Sequence, residues 1–237
     1  MAQDRSSGRQ AALARAMDYP YAAHPGPYLF RGGKAEPLPA DLDIARLTPV
    51  IAVGSNRAPV QLARKFERME TAIPVTRLVA RHLDVVHAAH MAGYGAVPAT
   101  LAPSPGTEVE LWITWLDAPT MHRMDATEAV GVNYAREEQV LEIVAADGPA
   151  PERALVYNAL RGCLSFDGAM VPLAAVPASR RRSPAMTQRA VLERLHREAG
   201  SPSDFERWLH GHIGPTGLLR RTRLTERLAA GAIRPRG

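Results

Sequence analysis

The chain has one cysteine, Cys163, and two lysines, Lys34 and Lys65, among its 237 residues. A lone cysteine excludes an internal disulfide and suits a cytoplasmic setting. Cys163 has no recognisable activating neighbours and reads as a buried core thiol. No apolar run approaches the length of a membrane span, so no transmembrane helix is expected. The first residues, Met1-Ala-Gln-Asp-Arg-Ser6, lack the apolar core of a signal peptide. Scarce lysine leaves Arg to carry nearly all the positive charge, a bias of the kind that base composition of the coding DNA produces. Internal repeats and heptads are absent too.

What is present is ordinary globular material, 46% hydrophobic and 22% charged. The length allows one sizeable core with extensions, or two small domains. The net charge of +5 is unevenly placed. From Arg180 to Gly237, thirteen Arg against five acids give +8, so the preceding part is at −3.

The organising stretch is Thr48-Pro-Val-Ile-Ala-Val-Gly-Ser-Asn-Arg-Ala-Pro59. Val50 to Val53 read as a buried strand, Gly54-Ser55-Asn56 breaks it, and Pro59 opens a helix over Val60–Met69 with Asn56 or Arg57 near its cap. A strand, a glycine turn and a helix start together offer backbone N–H groups to an anion or a polarised carbonyl. Before it, residues 1–47 hold a short helix over Arg9–Met17 and then an extended Pro- and Gly-rich lead-in whose tyrosines pin it to the core. After it, Leu83–Met91, Ala96–Leu101, Glu108–Leu116, Gln139–Val144 and Ala154–Leu160 read as strands, with a turn at Pro103–Gly106. Asp117 caps a short helix over Thr120–Ala126. Three helices follow: Met186–Ala199, one opened by the capping box Ser203-Asp-Phe-Glu206, and Leu218–Ala230, stopped by Gly231. Many short strands with brief helices between them predict a mixed, barrel-like sheet.

Val50–Asn56, Gly93–Gly106 and Met121–Tyr134, taken in this order, resemble stretches of the γ-glutamylcyclotransferase-like family. Val50-Ile-Ala-Val-Gly-Ser-Asn56 is similar to its glycine-serine-asparagine loop, and Gly93-Tyr-Gly-Ala-Val-Pro-Ala-Thr-Leu-Ala-Pro-Ser-Pro-Gly106 to its central hairpin. Met121-His-Arg-Met-Asp-Ala-Thr-Glu-Ala-Val-Gly-Val-Asn-Tyr134 resembles its Leu-Asp-x-x-Glu-Gly stretch followed by a Tyr. The resemblance covers residues 48–145. It implies an α+β fold with a small mixed β-barrel over residues 48–175 and, here, a basic helical extension at 176–237 packed on it. It also implies an amide-cleaving enzyme that releases 5-oxoproline from a γ-glutamyl compound. Glu128 would be the general acid/base, and Val53, Gly54, Ser55, Asn56 and Tyr134 would bind the substrate, with no metal or cofactor. Two positions depart from the pattern: Val53 stands where many relatives carry Tyr, and Ala129 stands for Gly.

Other readings compete. Taken without the resemblance, Glu128 is a cap or surface residue just past a helix. His87 and His90 are an odd number apart, so on a strand they point to opposite faces and make no metal pair; His87, leading into the hairpin, is the one placed to line a pocket. His210-Gly-His212 reads as a helix-end cap, and Ser55 as a nucleophile needs a histidine base. The same fold could instead hold a small ligand without chemistry, or present its Arg-rich tail to nucleic acid or an acidic partner. No membrane partner is expected.

Overall fold

The computed structural model describes residues 2–235. In chain order it comprises helix α1 (Ala2–Met17), strands β1 (Tyr28–Arg31), β2 (Lys34–Pro37) and β3 (Thr48–Ile51), and helix α2 (Pro59–Lys65). Two long strands follow, β4 (Ala72–His87) and β5 (Ala99–Leu116), then helix α3 (Ala118–Glu128) and strands β6 (Tyr134–Val140), β7 (Glu142–Asp147) and β8 (Arg153–Ala159). The short strands β9 (Ser165–Phe166), β10 (Ala169–Met170) and β11 (Ala178–Ser179) precede helices α4 (Gln188–Glu198), α5 (Phe205–His210) and α6 (Leu218–Ala230).

These elements make a mixed α+β fold around one large sheet, ordered β2-β1-β4-β5-β3-β8-β6, with β11 added to β5 and β7 to β4. The β4–β5 pair is its spine, running antiparallel from Val75↔Thr114 to His87↔Ala99. Leu78, Ala80, Val85, Leu111 and Ile113 on this pair, with Ile51 and Val156, form one buried cluster. β3 and β8 run parallel, bringing the start of the glycine loop beside the sheet's far half. A second cluster lies under α2 and α3, with Leu62, Phe66, Met124, Trp112 and Tyr157. In a third, Val191, Leu192, Leu195, Trp208, Leu209, Leu224 and Leu228 of the last three helices pack with Leu13, Ala89, Met91, Val97, Leu164 and Val171. Each large aliphatic side chain buried there contributes about 1.5–3 kcal/mol.

Several expectations need correction. The lead-in is not merely extended: β1 and β2 form a hairpin, and β1 pairs with β4 through Tyr28↔Val75 to Arg31↔Ala72. Its alternation is too short to stand out from the surrounding Pro and Gly. The Pro103–Gly106 turn does not separate two strands. β5 runs on, and the residues between Pro103 and Glu108 are taken up as an irregularity opposite His82. Pro and Gly are the residues that suit such a bulge. His82 there has a φ of 66° and accepts the Gly106 N–H at 3.0 Å. α2 is shorter than expected and its N-cap is Ala58, without a side-chain cap. The Asn56 side chain is engaged elsewhere. Within the helical extension expected to pack on the barrel, Leu218 and Leu219 at the start of α6 are 61% and 64% exposed.

Candidate active site

α3 begins where the sequence says it should: the Asp117 carboxylate accepts the Thr120 N–H at 2.9 Å, and Pro119 lies in the first turn. It runs further than expected, so Glu128 is its last helical residue and not a residue beyond it. Ala129 ends it in the left-handed conformation, φ 51° and ψ 54°, donating its N–H to Asp125 O. This is the position where the resemblance calls for Gly, and the backbone geometry explains why Gly would suit it.

The Glu128 side chain is 15% exposed and points at the glycine loop. Asn56 Nδ2 donates to Glu128 Oε1 at 2.8 Å, and the Lys65 ammonium from α2 donates to the same oxygen. Lys65, itself 7% exposed, also reaches Met124 Sδ at 3.4 Å. Among the described residues nothing bonds Oε2, which is left for a ligand.

A cavity of about 270 Å³ opens at this carboxylate. Val53, Gly54, Ser55, Asn56, Glu128 and Tyr134, all the site residues expected from the sequence, line it together. The sequence reading missed Lys65, Gln61, Tyr19, Tyr94 and His90, which line it too. Lys65 had one signal, being one of only two lysines in an Arg-rich chain. Tyr19 had none, since it arrives from the lead-in. Its hydroxyl accepts the Ala99 N–H at 2.8 Å and passes so close to Gly54 that a Cβ there would lie 2.0 Å from it. Gly54 is therefore required by a neighbouring phenol as well as by any ligand.

Polar atoms without partners mark the cavity. Asn56 Oδ1, Gln61 Oε1 and His90 Nδ1 are buried and unbonded. Such atoms cost desolvation unless a ligand or water meets them. With Glu128 Oε2, the two amide oxygens make an acceptor-rich end fit for an ammonium group. The loop N–H groups of Val53 and Gly54 donate to no other group among the described residues. Burial, with the charge of Glu128 adding to it, pushes the Tyr19 and Tyr134 phenols well above their ordinary range, so both stay protonated as donors. The His90 imidazole is pushed down to about 4, first by burial and then by the Arg161 charge, and is neutral at pH 7.

The other candidates fall elsewhere. His87, expected to line a pocket, is fully buried against the carbonyls of Val97 and Met186, and His90 takes the cavity position instead. His212 Nδ1 bonds Trp208 O at 2.8 Å at the end of α5. Cys163 is buried, and its thiol is pushed up to about 11. No hydrogen bond joins Ser55 to a histidine among the described residues. No group of three His, Cys, Asp or Glu among the described residues could hold a metal ion, and no helix there is long and apolar enough to cross a membrane.

No family model and no curated protein matches the chain. A solved structure described as a gamma-glutamyl cyclotransferase is similar to it with a TM-score of 0.38 and 14% identity, over 75% of this chain and 99% of the other. A likeness that weak adds nothing to what the cavity's own residues say.

Proposed function

We propose that this chain is a γ-glutamylcyclotransferase-like enzyme that cleaves a γ-glutamyl amide into 5-oxoproline and an amine, with Glu128 as general acid/base. The observation that carries the reading is the Glu128 carboxylate at the cavity wall. One oxygen is fixed by Asn56 and Lys65, and the other is free beside two unpartnered acceptors. The sequence order that resembles the family supports it, and the same reading takes the sheet as that family's barrel. The β6–β7 segment, interrupted only at Leu141, would close it by passing from β8 to β4.

In this mechanism the substrate's α-ammonium sits among Glu128 Oε2, Asn56 Oδ1 and Gln61 Oε1. Glu128 takes a proton from it, and the freed amine attacks its own γ-carbonyl carbon. The new C–N bond closes a five-membered ring as the old amide C–N bond breaks. The two protons that the ammonium gives up end on the leaving nitrogen, relayed by Glu128, and no water is consumed. Because attack is intramolecular, proximity can supply as much as about 7–11 kcal/mol of the barrier in well-oriented cases. The Val53 and Gly54 N–H groups, with the Tyr19 hydroxyl near them, can receive the carbonyl oxygen as it gains charge. Lys65 keeps Glu128 oriented and offsets its charge when no ammonium is present.

The test is product analysis on a panel of γ-glutamyl amides. The mechanism gives 5-oxoproline and free amine in equal amounts. Release of glutamate in place of 5-oxoproline would mean hydrolysis, and the absence of any product would leave only a ligand-binding cavity.

A further inference from the structure

A groove of about 510 Å³ lies between α6 and the turn after α4 and shares no residue with the Glu128 cavity. Arg220, Arg223 and Arg227, spaced to share one side of the helix, stand along it. Glu226, the one acid in α6, sits round the opposite side, and among the described residues no carboxylate lines the groove. These positions break local rules. Arg223 and Arg227 are like charges one turn apart, an arrangement that destabilises a helix. Arg220 lies in the first turn, where the helix dipole disfavours a cation and no acid offsets it. Arg220 donates to Gly211 O at 3.2 Å, but among the described residues Arg223 and Arg227 have no hydrogen bond or ion pair. On α4, by contrast, Arg189 and Arg194 each meet an acid one turn on. Unpaired charge of one sign along a groove concentrates anions of the other.

The groove is more than a basic surface. Trp208 and Leu224, both buried, give it an apolar floor. His212 lines it too, its ring centroid 4.5 Å from that of Trp208. Burial pushes the His212 imidazole down, and the charges of Arg220, Arg221 and Arg227 add to that, so the ring is neutral at pH 7. Its Nδ1 donates to Trp208 O at 2.8 Å, which leaves Nε2 as an acceptor. An anion that carries a hydroxyl and a flat apolar part matches all three features. The volume is that of a small-molecule pocket, roughly 300–1,000 Å³.

We propose that this groove binds a nucleoside phosphate, with its phosphates on Arg220, Arg223 and Arg227, a sugar hydroxyl on His212 Nε2 and its base against Trp208 and Leu224. The site stands apart from the Glu128 cavity and does not depend on the reaction assigned there. It makes the helical extension a ligand-binding element as well as a cover for the core.

The test is calorimetric titration of ADP into the full-length protein in magnesium-free buffer. ADP should bind at one site per chain, roughly 10-fold or more tighter than adenosine, which lacks the phosphates, or inorganic pyrophosphate, which lacks the rest. Arg223→Gln combined with Arg227→Gln should weaken ADP on the order of 10–100-fold, the worth of charge-assisted hydrogen bonds. The corresponding double change to Lys should weaken it less. Neither double variant should lower the Tm, because neither side chain has a partner among the described residues to lose. ADP binding that weakens with added salt, while adenosine binding does not, supports the phosphate contacts. Absence of ADP binding, or ADP binding unchanged in the Gln variant, overturns the proposal. Pyrophosphate binding as tightly as ADP would reduce the groove to a bare anion site. A short single-stranded RNA binding more tightly than ADP would make it a nucleic-acid surface. Either result contradicts a nucleotide site.

Discussion

Lys65 and Glu128 illustrate how much can hang on one pair of side chains. Both are largely withdrawn from water, at 7% and 15% exposure, and an isolated charge there would be costly. Their pairing does not by itself stabilise the fold by much, because each ion lost its hydration to form it. Removing one partner is another matter. Lys65→Met should destabilise the protein by about 3–5 kcal/mol by leaving the Glu128 carboxylate uncompensated, and adding Glu128→Gln should recover most of that loss. Urea unfolding of the wild type, both single variants and the double variant gives the coupling directly. Additive effects would mean that the pair is not an ion pair in solution. The same residues show why the site was only half legible in the sequence. Glu128 and Gly54–Asn56 lie in recognisable stretches, but Lys65, Tyr19 and His90 meet them only through the tertiary fold.

At the scale of elements, α3 carries the site, and its two ends differ in how well they suit their positions. The start is well made, with Asp117 capping and Pro119 in the first turn. The end is strained, since Ala129 holds a left-handed conformation that costs a residue with a Cβ roughly 1–2 kcal/mol. Ala129→Gly should therefore raise stability by about 1 kcal/mol, or roughly 2–4 °C in Tm for a chain of this size, while Glu128 stays where it is. A lowered Tm in calorimetry would contradict this. α4 takes Thr187 as its cap and α5 takes Asp204, not the Ser203 of the expected capping box, but the Asp117 cap of α3 and the Gly231 stop of α6 were readable because they are local chemistry. The β1–β2 hairpin and the bulge in β5 were not, because long-range pairing with β4 decides them. α2 lost its expected cap for a related reason: Asn56 gives its amide to Glu128, and Ala58 takes the cap position. The contact with Glu128, and not a helix cap, takes the Asn56 side chain.

At the scale of the whole molecule, the C-terminal helices share one apolar cluster with α1, with the segment that joins β4 to β5, and with Leu164 and Val171. On the outer side, Arg189 pairs with Glu193 and Arg194 with Glu198 and Asp167. Cutting the chain after residue 183 would uncover Ala89, Met91, Val97, Leu164 and Val171 at once. The loss should approach the whole stability of an ordinary domain, about 5–15 kcal/mol, and leave an unfolded or aggregated product. A 1–183 chain that stays monomeric with the Tm of the full-length protein would contradict this. The central claim, that Glu128 performs the chemistry in the shared cavity, has a more direct test. Purified wild-type and Glu128→Gln proteins, each first checked for an unchanged fold, are given the same γ-glutamyl amide, and 5-oxoproline is followed over time. The expected result is steady release by the wild type and a rate lower by roughly 10²–10⁴-fold for the variant, the usual worth of a positioned acid/base. Equal rates from the two proteins would remove Glu128 from the mechanism.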